Sequence, residues 1–274
     1  MKIFSHSRLS SFEQCKLKYK FRYIDNIIPD IEKTIESYLG NIVHETLEWF
    51  YNQIKNGKAP SLDEVIVNYS ENWKENYEEG IIIVKKHITV KDYFNKGIQF
   101  LINYYMKHKP FDDNTIAVEK EILFDLDENG EYKIRGFIDR LTYNLETHEY
   151  EVHDYKTSNN LPSQEILDKD RQLALYSIAI KEIFGDDKKV ILVWHYLSFN
   201  KRIHSRRTDE QLNQLKQETL DLIKEISTTI DFPPTKSPLC NWCEYKQICP
   251  AWGNKPPIKQ LTLRDFSEDK IKEK

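Results

Sequence analysis

The chain has 274 residues, of which 39% are apolar, 12% aromatic and 31% charged, so it can bury a sizeable core and is neither disordered nor collagen-like. Its 40 basic and 44 acidic residues give a net charge of −4, which excludes a uniformly basic nucleic-acid coat. Its apolar runs fall far short of the roughly 18 residues of a membrane span, and residues 1–10 lack the apolar segment of a signal peptide. We therefore expect a cytoplasmic protein without membrane partners.

The N-terminal part of the sequence predicts helices. The first runs from about Ser10 to Tyr23, with Ser10 opening a capping box. A second follows Gly40, where apolar residues at helical spacing form one face and His44 lies beside that face. Residues 55–112 predict further helices, which we interpret as a helical insertion.

The rest of the chain predicts a mixture of strands and helices, because its apolar residues alternate in some segments and follow helical spacing in others. The expected elements are a strand from Thr115 to about Leu126, strands at 132–143 and 149–156, a helix at 170–184, a strand at 189–199, a short basic strand from Lys201, and a helix at 208–230. This order predicts a mixed α/β fold in which helices flank a mixed sheet. A charged tail is expected at 255–274.

Two acids and a lysine lie at or near the ends of predicted strands. Asp139 stands in the segment Gly-Phe-Ile-Asp-Arg (136–140), and Asp154 and Lys156 stand in Asp-Tyr-Lys-Thr (154–157). Residues two apart on a strand share a face, so Asp154 and Lys156 point the same way. Two neighbouring carboxylates repel each other unless a cation lies between them, and Mg²⁺ prefers oxygen ligands. This arrangement is typical of phosphodiester hydrolysis, with a buried salt bridge as the structural alternative.

Three of the four cysteines follow a Cys-x₂-Cys-x₅-Cys pattern at Cys240, Cys243 and Cys249, and Cys15 is far upstream. In a reducing compartment, cysteines this close are better explained as metal ligands or free thiols than as disulfides. Zinc takes four thiolates in its structural sites, and iron-sulfur clusters also take four. The spacing alone leaves zinc and iron-sulfur open, with free thiols as a third alternative.

Four separated motifs together resemble the PD-(D/E)XK nucleases, and specifically the RecB-like branch that carries an iron-sulfur cluster. They are Gly40-Asn41-Ile42-Val43-His44, Gly136-Phe137-Ile138-Asp139-Arg140, Asp154-Tyr155-Lys156-Thr157 and Arg171-Gln172-Leu173-Ala174-Leu175-Tyr176. The resemblance implies a restriction-endonuclease-like α/β fold with a mixed central sheet flanked by helices. It also implies a single nuclease domain over 1–254, with an iron-sulfur segment at 233–254 joined by Cys15.

The resemblance also implies roles for individual residues. Asp139 and Asp154 would bind Mg²⁺ or Mn²⁺, with the main-chain carbonyl of Tyr155 and the side chain of His44 as further ligands. Lys156 would position the attacking water. The remaining implied assignments are Gln172 and Tyr176 beside the lysine or the DNA, Glu121 as a further acid near the metal, and Cys15, Cys240, Cys243 and Cys249 as ligands of a structural 4Fe-4S cluster.

DNA would need basic contacts despite the net negative charge. We expect these from the basic strand and its continuation, at Lys201, Arg202, Arg206 and Arg207, with exposed aromatic residues stacking on unpaired bases. The alternative is that these charges only keep a sheet edge soluble.

The interpretation we favour is a metal-dependent DNA exonuclease that acts on single-stranded or end-containing DNA in repair or recombination, with a helicase or other recombination proteins as partners. A second interpretation is a CRISPR-associated nuclease that processes DNA for spacer acquisition, with CRISPR proteins as partners. A third is a non-catalytic DNA-binding scaffold or a zinc-stabilised interaction module.

Overall fold

The computed structural model describes residues 2–29, 33–85 and 87–255, which form two compact units. The described residues of the first unit lie in 2–10 and 33–229, and those of the second in 11–29 and 230–255. Within these ranges, no helix combines the length and the apolar character that a membrane span requires. Apart from Lys255, the predicted charged tail lies outside the described residues.

The helices and strands alternate along the chain in the order expected of a mixed α/β protein. They are β1 (Lys2–Phe4), α1 (His6–Gln14), α2 (Lys16–Tyr23), α3 (Ile35–Lys55), α4 (Leu62–Glu75), α5 (Val90–His108), β2 (Thr115–Asp125), β3 (Tyr132–Tyr143), β4 (Glu149–Lys156), α6 (Gln164–Leu167), α7 (Arg171–Phe184), β5 (Lys189–Tyr196), β6 (Lys201–Ser205) and α8 (Asp209–Thr228). Short 3₁₀ turns lie at 197–199 and between 238 and 252.

The six strands form one mixed sheet in the first unit. Its order is β1-β3-β4-β5-β6, and β2 also pairs with β3. The β1/β3 and β4/β5 pairs are parallel, and the β2/β3, β3/β4 and β5/β6 pairs are antiparallel. Helix α3 packs on β2 and β3, and α7 packs along β5, β4 and β2. The predicted mixed sheet flanked by helices is therefore confirmed.

The predicted single helix from Ser10 to Tyr23 is wrong. Helix α1 begins at His6, where the Ser5 Oγ accepts a hydrogen bond from the Arg8 N–H at 3.2 Å and so caps the helix earlier than expected. Cys15 then has extended backbone angles, φ −162° and ψ 111°, which separate α1 from α2.

Two later boundaries also differ from the prediction. Helix α3 begins at Ile35 rather than after Gly40, because the Thr34 side chain accepts from the Ser37 N–H at 3.3 Å and caps it. Strand β5 ends at Tyr196 rather than at 199, where a 3₁₀ turn leads to Asn200 in the left-handed region at φ +48°.

The predicted helical insertion corresponds to α4 and α5, which pack on α3 in an aromatic-rich core. Gly97 lets α5 approach α4 closely, since a Cβ atom there would lie 2.0 Å from the Tyr69 hydroxyl. The buried members of this core include Tyr38, Leu39, Phe50, Tyr69, Trp73, Phe100, Tyr104 and Tyr155.

In the second unit, α2 packs against residues near the C-terminal cysteines. Tyr19 stacks on Phe232 with ring centroids 6.4 Å apart, and Lys18 forms an ion pair with Glu244 at 3.0 Å. The Tyr245 hydroxyl donates a hydrogen bond to the Ile27 carbonyl at 3.0 Å. These contacts join two segments that are far apart in the sequence.

A charged group is buried behind the ends of β3 and β4 in the first unit. Arg140 is 1% exposed, forms an ion pair with Asp113, and lies over the Tyr51 ring with its guanidinium carbon 4.1 Å from the centroid. It also donates to His153 Nδ1 at 3.3 Å, and the same nitrogen lies 2.9 Å from His195 Nε2. Because Arg140 can only donate, His153 Nδ1 must accept, so His153 is neutral and His195 Nε2 is the donor between the two rings.

Burial, together with the positive charge of Arg140, holds the pKa of both His153 and His195 well below the usual histidine value. Both side chains therefore stay neutral in the folded state at pH values where they would be protonated in the unfolded chain. The folded state thus takes up fewer protons than the unfolded state below the unfolded pKa of about 6.5, and stability decreases as the pH falls through that range.

We predict that the free energy of unfolding falls by about 1 kcal/mol for each of these two histidines between about pH 7.5 and about pH 5.5. His195→Gln removes one titrating group, so its urea-unfolding stability should fall by about 1 kcal/mol less than that of the wild type over this range. His204→Gln, at an exposed position on β6, is the matched control and should behave like the wild type. Equal pH dependence in all three proteins would contradict the assignment.

Candidate active site and metal centre

The site begins where β3 and β4 separate. Their pairing stops at Arg140 opposite His153, and the next position on each strand is Asp139 and Asp154. The Asp139 Oδ2 accepts the Tyr155 N–H at 2.8 Å, so a carboxylate takes the place of a ladder carbonyl. This hydrogen bond fixes Asp139 between the two strand ends.

Helix α3 brings His44 to the same place. Its Nε2 donates to the Tyr155 carbonyl at 2.8 Å, and its Nδ1 lies 3.3 Å from Asp139 Oδ2. Burial alone would lower the His44 pKa, but the charge of Asp139 and the contact with its carboxylate raise it to about 9. The imidazole thus connects a carboxylate and a main-chain carbonyl that the family resemblance assigns to the metal.

Asp154 and Lys156 share one face of β4, as predicted. Lys156 Nζ lies 3.0 Å from Asp154 Oδ1 and 2.8 Å from Oδ2, and Asp154 is 4% exposed. Burial raises the Asp154 pKa, Lys156 opposes that effect, and the nearby Asp139 adds to it, so that the pKa is about 6. The ion pair named as the structural alternative is present, but it leaves the convergence of Asp139 and His44 unexplained.

Helix α7 supports the lysine from the other side. Gln172 Oε1 accepts from Lys156 Nζ at 3.1 Å, and Gln172 Nε2 lies 3.5 Å from the Tyr176 hydroxyl. Tyr176 packs against Gly136 so closely that a Cβ atom there would lie 2.4 Å from the ring. The glutamine and tyrosine therefore lie on the helix face that meets the strand bearing Asp139.

Glu119 is the acid that the sequence reading missed. It lies on β2 between Val118, which pairs with Arg140, and Lys120, which pairs with Ile138, so it faces Asp139 across the strands. Its φ of +45° is rare for a residue with a side chain and reflects local strain. Ligand atoms of His44, Glu119 and Asp139 all lie within 4.8 Å of one another.

Glu121, the acid that the sequence suggests near the metal, lies outside the group formed by His44, Glu119 and Asp139. Its carboxylate accepts from Arg135 Nε at 2.7 Å on an exposed part of the hairpin. Glu119 and Glu121 are two residues apart on β2, so strand alternation alone places both on one face. They differ in the residue of β3 that each lies opposite, which is Asp139 for Glu119 and Phe137 for Glu121. That position depends on the pairing register, which includes an irregularity between Thr115 and Ala117 that the sequence does not reveal.

Carboxylates are crowded around this centre. A cavity of about 450 Å³ beside it is lined by Glu36, Glu45 and Glu48 of α3 together with Glu119 and Asp139. Burial and the charges of Asp139 and Glu48 raise the Glu119 pKa to about 7. A hard divalent cation would relieve this repulsion and matches the oxygen-rich set of donors.

The four basic residues predicted to bind DNA differ in their surroundings. Lys201 is exposed and pairs with Tyr196, at the end of the sheet where Lys156 lies. Arg202 forms an ion pair with Glu151 at 2.6 Å. Arg206 bonds to Glu149 at the far end of β4, and Arg207 donates to the Leu167 carbonyl at 2.7 Å.

The four cysteines line one cavity of about 50 Å³ within the second unit. The Thr235 N–H lies 3.4 Å from Cys15 Sγ, and the Ser237 N–H lies 3.4 Å from Cys240 Sγ. Such N–H groups stabilise thiolates. The structure thus brings Cys15 to the three C-terminal cysteines despite their separation in sequence.

The model of the PD-(D/E)XK nuclease superfamily matches residues 3–250 of the chain. A candidate exonuclease from Eubacterium rectale has a similar structure, with 12% identity, a TM-score of 0.49, and coverage of 96% of this chain and 92% of that one. The protein SSO0001 has 18% identity and a TM-score of 0.37, over 77% of this chain and 95% of its own. With TM-scores below 0.5, these two likenesses add nothing to the family match. A comparison with curated protein sequences finds no match.

The two glutamates of β2 make a matched pair for testing the metal centre. Glu119→Gln should weaken Mn²⁺ binding by about tenfold or more, because it removes a carboxylate from the cluster. Glu121→Gln should leave the affinity unchanged, since that side chain is held by Arg135. Isothermal titration calorimetry measures both, and wild-type affinity in Glu119→Gln, or an equal loss of affinity in the two variants, would contradict the assignment.

Proposed function

The chain belongs to the PD-(D/E)XK nuclease superfamily, and we propose that this nuclease is a divalent-metal-dependent exonuclease of single-stranded or end-containing DNA in repair or recombination. The observation that carries the proposal is the position of Asp139, Asp154 and Lys156 where the pairing of β3 with β4 stops. Among the described residues, His44, Glu119 and Asp139 have ligand atoms within 4.8 Å of one another, and the charge of Asp154 acts on the same His44.

We propose that Asp139 and Asp154 hold Mg²⁺ or Mn²⁺, with His44, Glu119 and the Tyr155 carbonyl as further donors. The donor set fits such an ion, because it offers several carboxylate oxygens and an imidazole in a partly buried place where like charges repel. When bound, the ion would supply Lewis-acid stabilisation of the phosphate charge and a more acidic water.

Lys156 would act on the substrate side of this site. Its ammonium group is fixed by Asp154 and by Gln172, so it presents a positive charge in a defined position. Burial lowers its pKa, but Asp154 and Asp139 raise it to above the usual lysine value, so it stays protonated at neutral pH. A protonated lysine can orient a water molecule and stabilise negative charge that develops on the phosphate.

DNA contacts from the basic strand are also part of the proposal. Lys201 is the member best suited to a backbone phosphate, because it is exposed at the end of the sheet where Lys156 lies. The sequence contains no G-x-x-x-x-G-K-[ST] phosphate loop. Unwinding of duplex DNA would therefore depend on a helicase outside this sequence, which we propose as a partner.

We further propose that Cys15, Cys240, Cys243 and Cys249 hold a structural 4Fe-4S cluster, as in the RecB-like branch. Zinc would place four thiolates about 3.8 Å apart, given zinc-sulfur bonds of about 2.3 Å in a tetrahedron. No three of these four described cysteines have their Sγ atoms within 4.8 Å of one another. The wider arrangement around a cavity fits a larger inorganic group and supports iron-sulfur over zinc.

The enzymatic proposal is tested by isosteric changes at the site. Asp154→Asn and Lys156→Met should each reduce Mg²⁺- or Mn²⁺-dependent degradation of end-labelled single-stranded DNA by about a hundredfold or more, because each removes a charge aimed at the reaction. Lys169→Met is the control, since Lys169 pairs with Glu165 on an exposed turn of the chain. Wild-type rates in both site variants, with an unchanged fold by circular dichroism, would defeat the mechanism.

The cluster proposal is tested by its colour and its effect on stability. Protein purified without oxygen should be brown, with a broad absorption band near ~400 nm and iron as its metal. Cys249→Ala should lose that band and lower the thermal midpoint, while the Mn²⁺ affinity of the separate nuclease site changes little. Colourless wild-type protein that contains zinc would rule out the cluster.

A further inference from the structure

We propose that Phe137, stacked with Arg135 on the open face of the β2/β3 hairpin, is a platform for a base of the nucleic-acid strand next to the metal centre. This inference rests on the proposed nuclease function and extends it to the path of the strand beside the site. The occupant is a single nucleic-acid strand, since only a base freed from pairing can stack on a side chain.

The platform continues directly from the metal centre. Along β3 from Ile134 to Asp139, buried and more accessible residues alternate, so Arg135, Phe137 and Asp139 share one face. Phe137 lies two residues before Asp139 on β3, which corresponds to about 7 Å along the strand. That distance corresponds to about two stacked nucleotides at ~3.4 Å each.

The face has the chemistry that stacking requires. Phe137 is 45% exposed, and the Arg135 guanidinium carbon lies 5.6 Å from the centroid of its ring. Leu123, diagonal to Phe137 on β2, is 51% exposed and extends the apolar surface. A flat ring with a guanidinium beside it offers a base both aromatic stacking and a cation.

Charge favours this direction over the opposite one. On the α3 side, the cavity beside the centre carries Glu36, Glu45 and Glu48, which repel a polyanion. On the hairpin side, Glu121 is neutralised by Arg135 at 2.7 Å, and Asp125 by Lys133 at 2.6 Å, while Asp127, Glu128 and Glu131 lie farther from the metal centre, in the turn. A strand that reaches the metal therefore meets less repulsion along the part of the hairpin that carries Phe137.

The test compares the wild type with Phe137→Ala, Phe137→Leu and Phe137→Trp, each as the whole 274-residue chain purified without oxygen. Cleavage of a fluorescent thymidine oligonucleotide in the presence of Mn²⁺ gives kcat and KM. Fluorescence anisotropy in the presence of Ca²⁺ instead of Mn²⁺ gives the Kd of the protein for the same oligonucleotide. We expect Phe137→Ala to raise KM and Kd by about tenfold with kcat changed by less than about threefold, since stacking contributes to binding rather than to the reaction. Phe137→Leu should match Phe137→Ala, and Phe137→Trp should match the wild type.

An abasic oligonucleotide of the same length identifies the base as the group that is bound. It keeps the phosphates, so the wild type should bind it about as weakly as Phe137→Ala binds the normal strand. Phe137→Ala should bind both strands equally, because the ring on which the base would stack is already absent from this variant. Leu145→Ala, at an exposed apolar residue of the β3/β4 turn, is the control for loss of an exposed apolar side chain and should behave like the wild type.

Several results would overturn the platform. They are an unchanged Kd and KM in Phe137→Ala, equal rescue by leucine and tryptophan, or equal loss in Leu145→Ala.

An unchanged Mn²⁺ affinity in Phe137→Ala shows that the metal centre is intact, and a changed one would assign Phe137 to the metal centre instead. If the wild type binds the strand but does not cleave it, the nuclease proposal fails and the anisotropy data alone decide on the platform. If it neither binds nor cleaves, both proposals fail.

Discussion

Two acidic side chains meet where two paired strands separate, and this constraint determines the rest of the site. Asp139 and Asp154 occupy the first positions beyond the last β3/β4 pair, and Asp139 is held there by the Tyr155 N–H. Partly buried carboxylates at such a place need positive charge nearby. Lys156 supplies it on one side and His44 on the other, and the crowding that remains makes this the natural position for a divalent cation.

The sequence predicts the site residues that follow local rules. The Asp-x-Lys spacing on a strand is enough to put Asp154 and Lys156 on one face, and the four-residue spacing of Gln172 and Tyr176 is enough to align them on a helix. The role of Glu119 could not be predicted, because it depends on the pairing register of β2 and on a left-handed backbone at that residue. Such long-range pairing is decided by the whole sheet.

The helices and strands also differ in whether local sequence is enough to predict them. Strands β3 and β4 have the predicted bounds, since alternation and turn residues are strong local signals. The break between α1 and α2 at Cys15 could not be predicted locally, because cysteine has no preference for capping or ending a helix. Cys15 has an extended backbone and lies in the second unit. The composition of the basic strand likewise predicts a DNA surface but does not reveal that Arg202 and Arg206 form ion pairs with glutamates of β4.

The most direct test of the account is the anomalous scattering of manganese in a crystal soaked with Mn²⁺. We predict a single strong peak within bonding distance of the Asp139 and Asp154 carboxylates, and its loss in Asp154→Asn. A soaked crystal with these carboxylates intact and no peak between them, or with manganese bound only elsewhere on the protein, would contradict it.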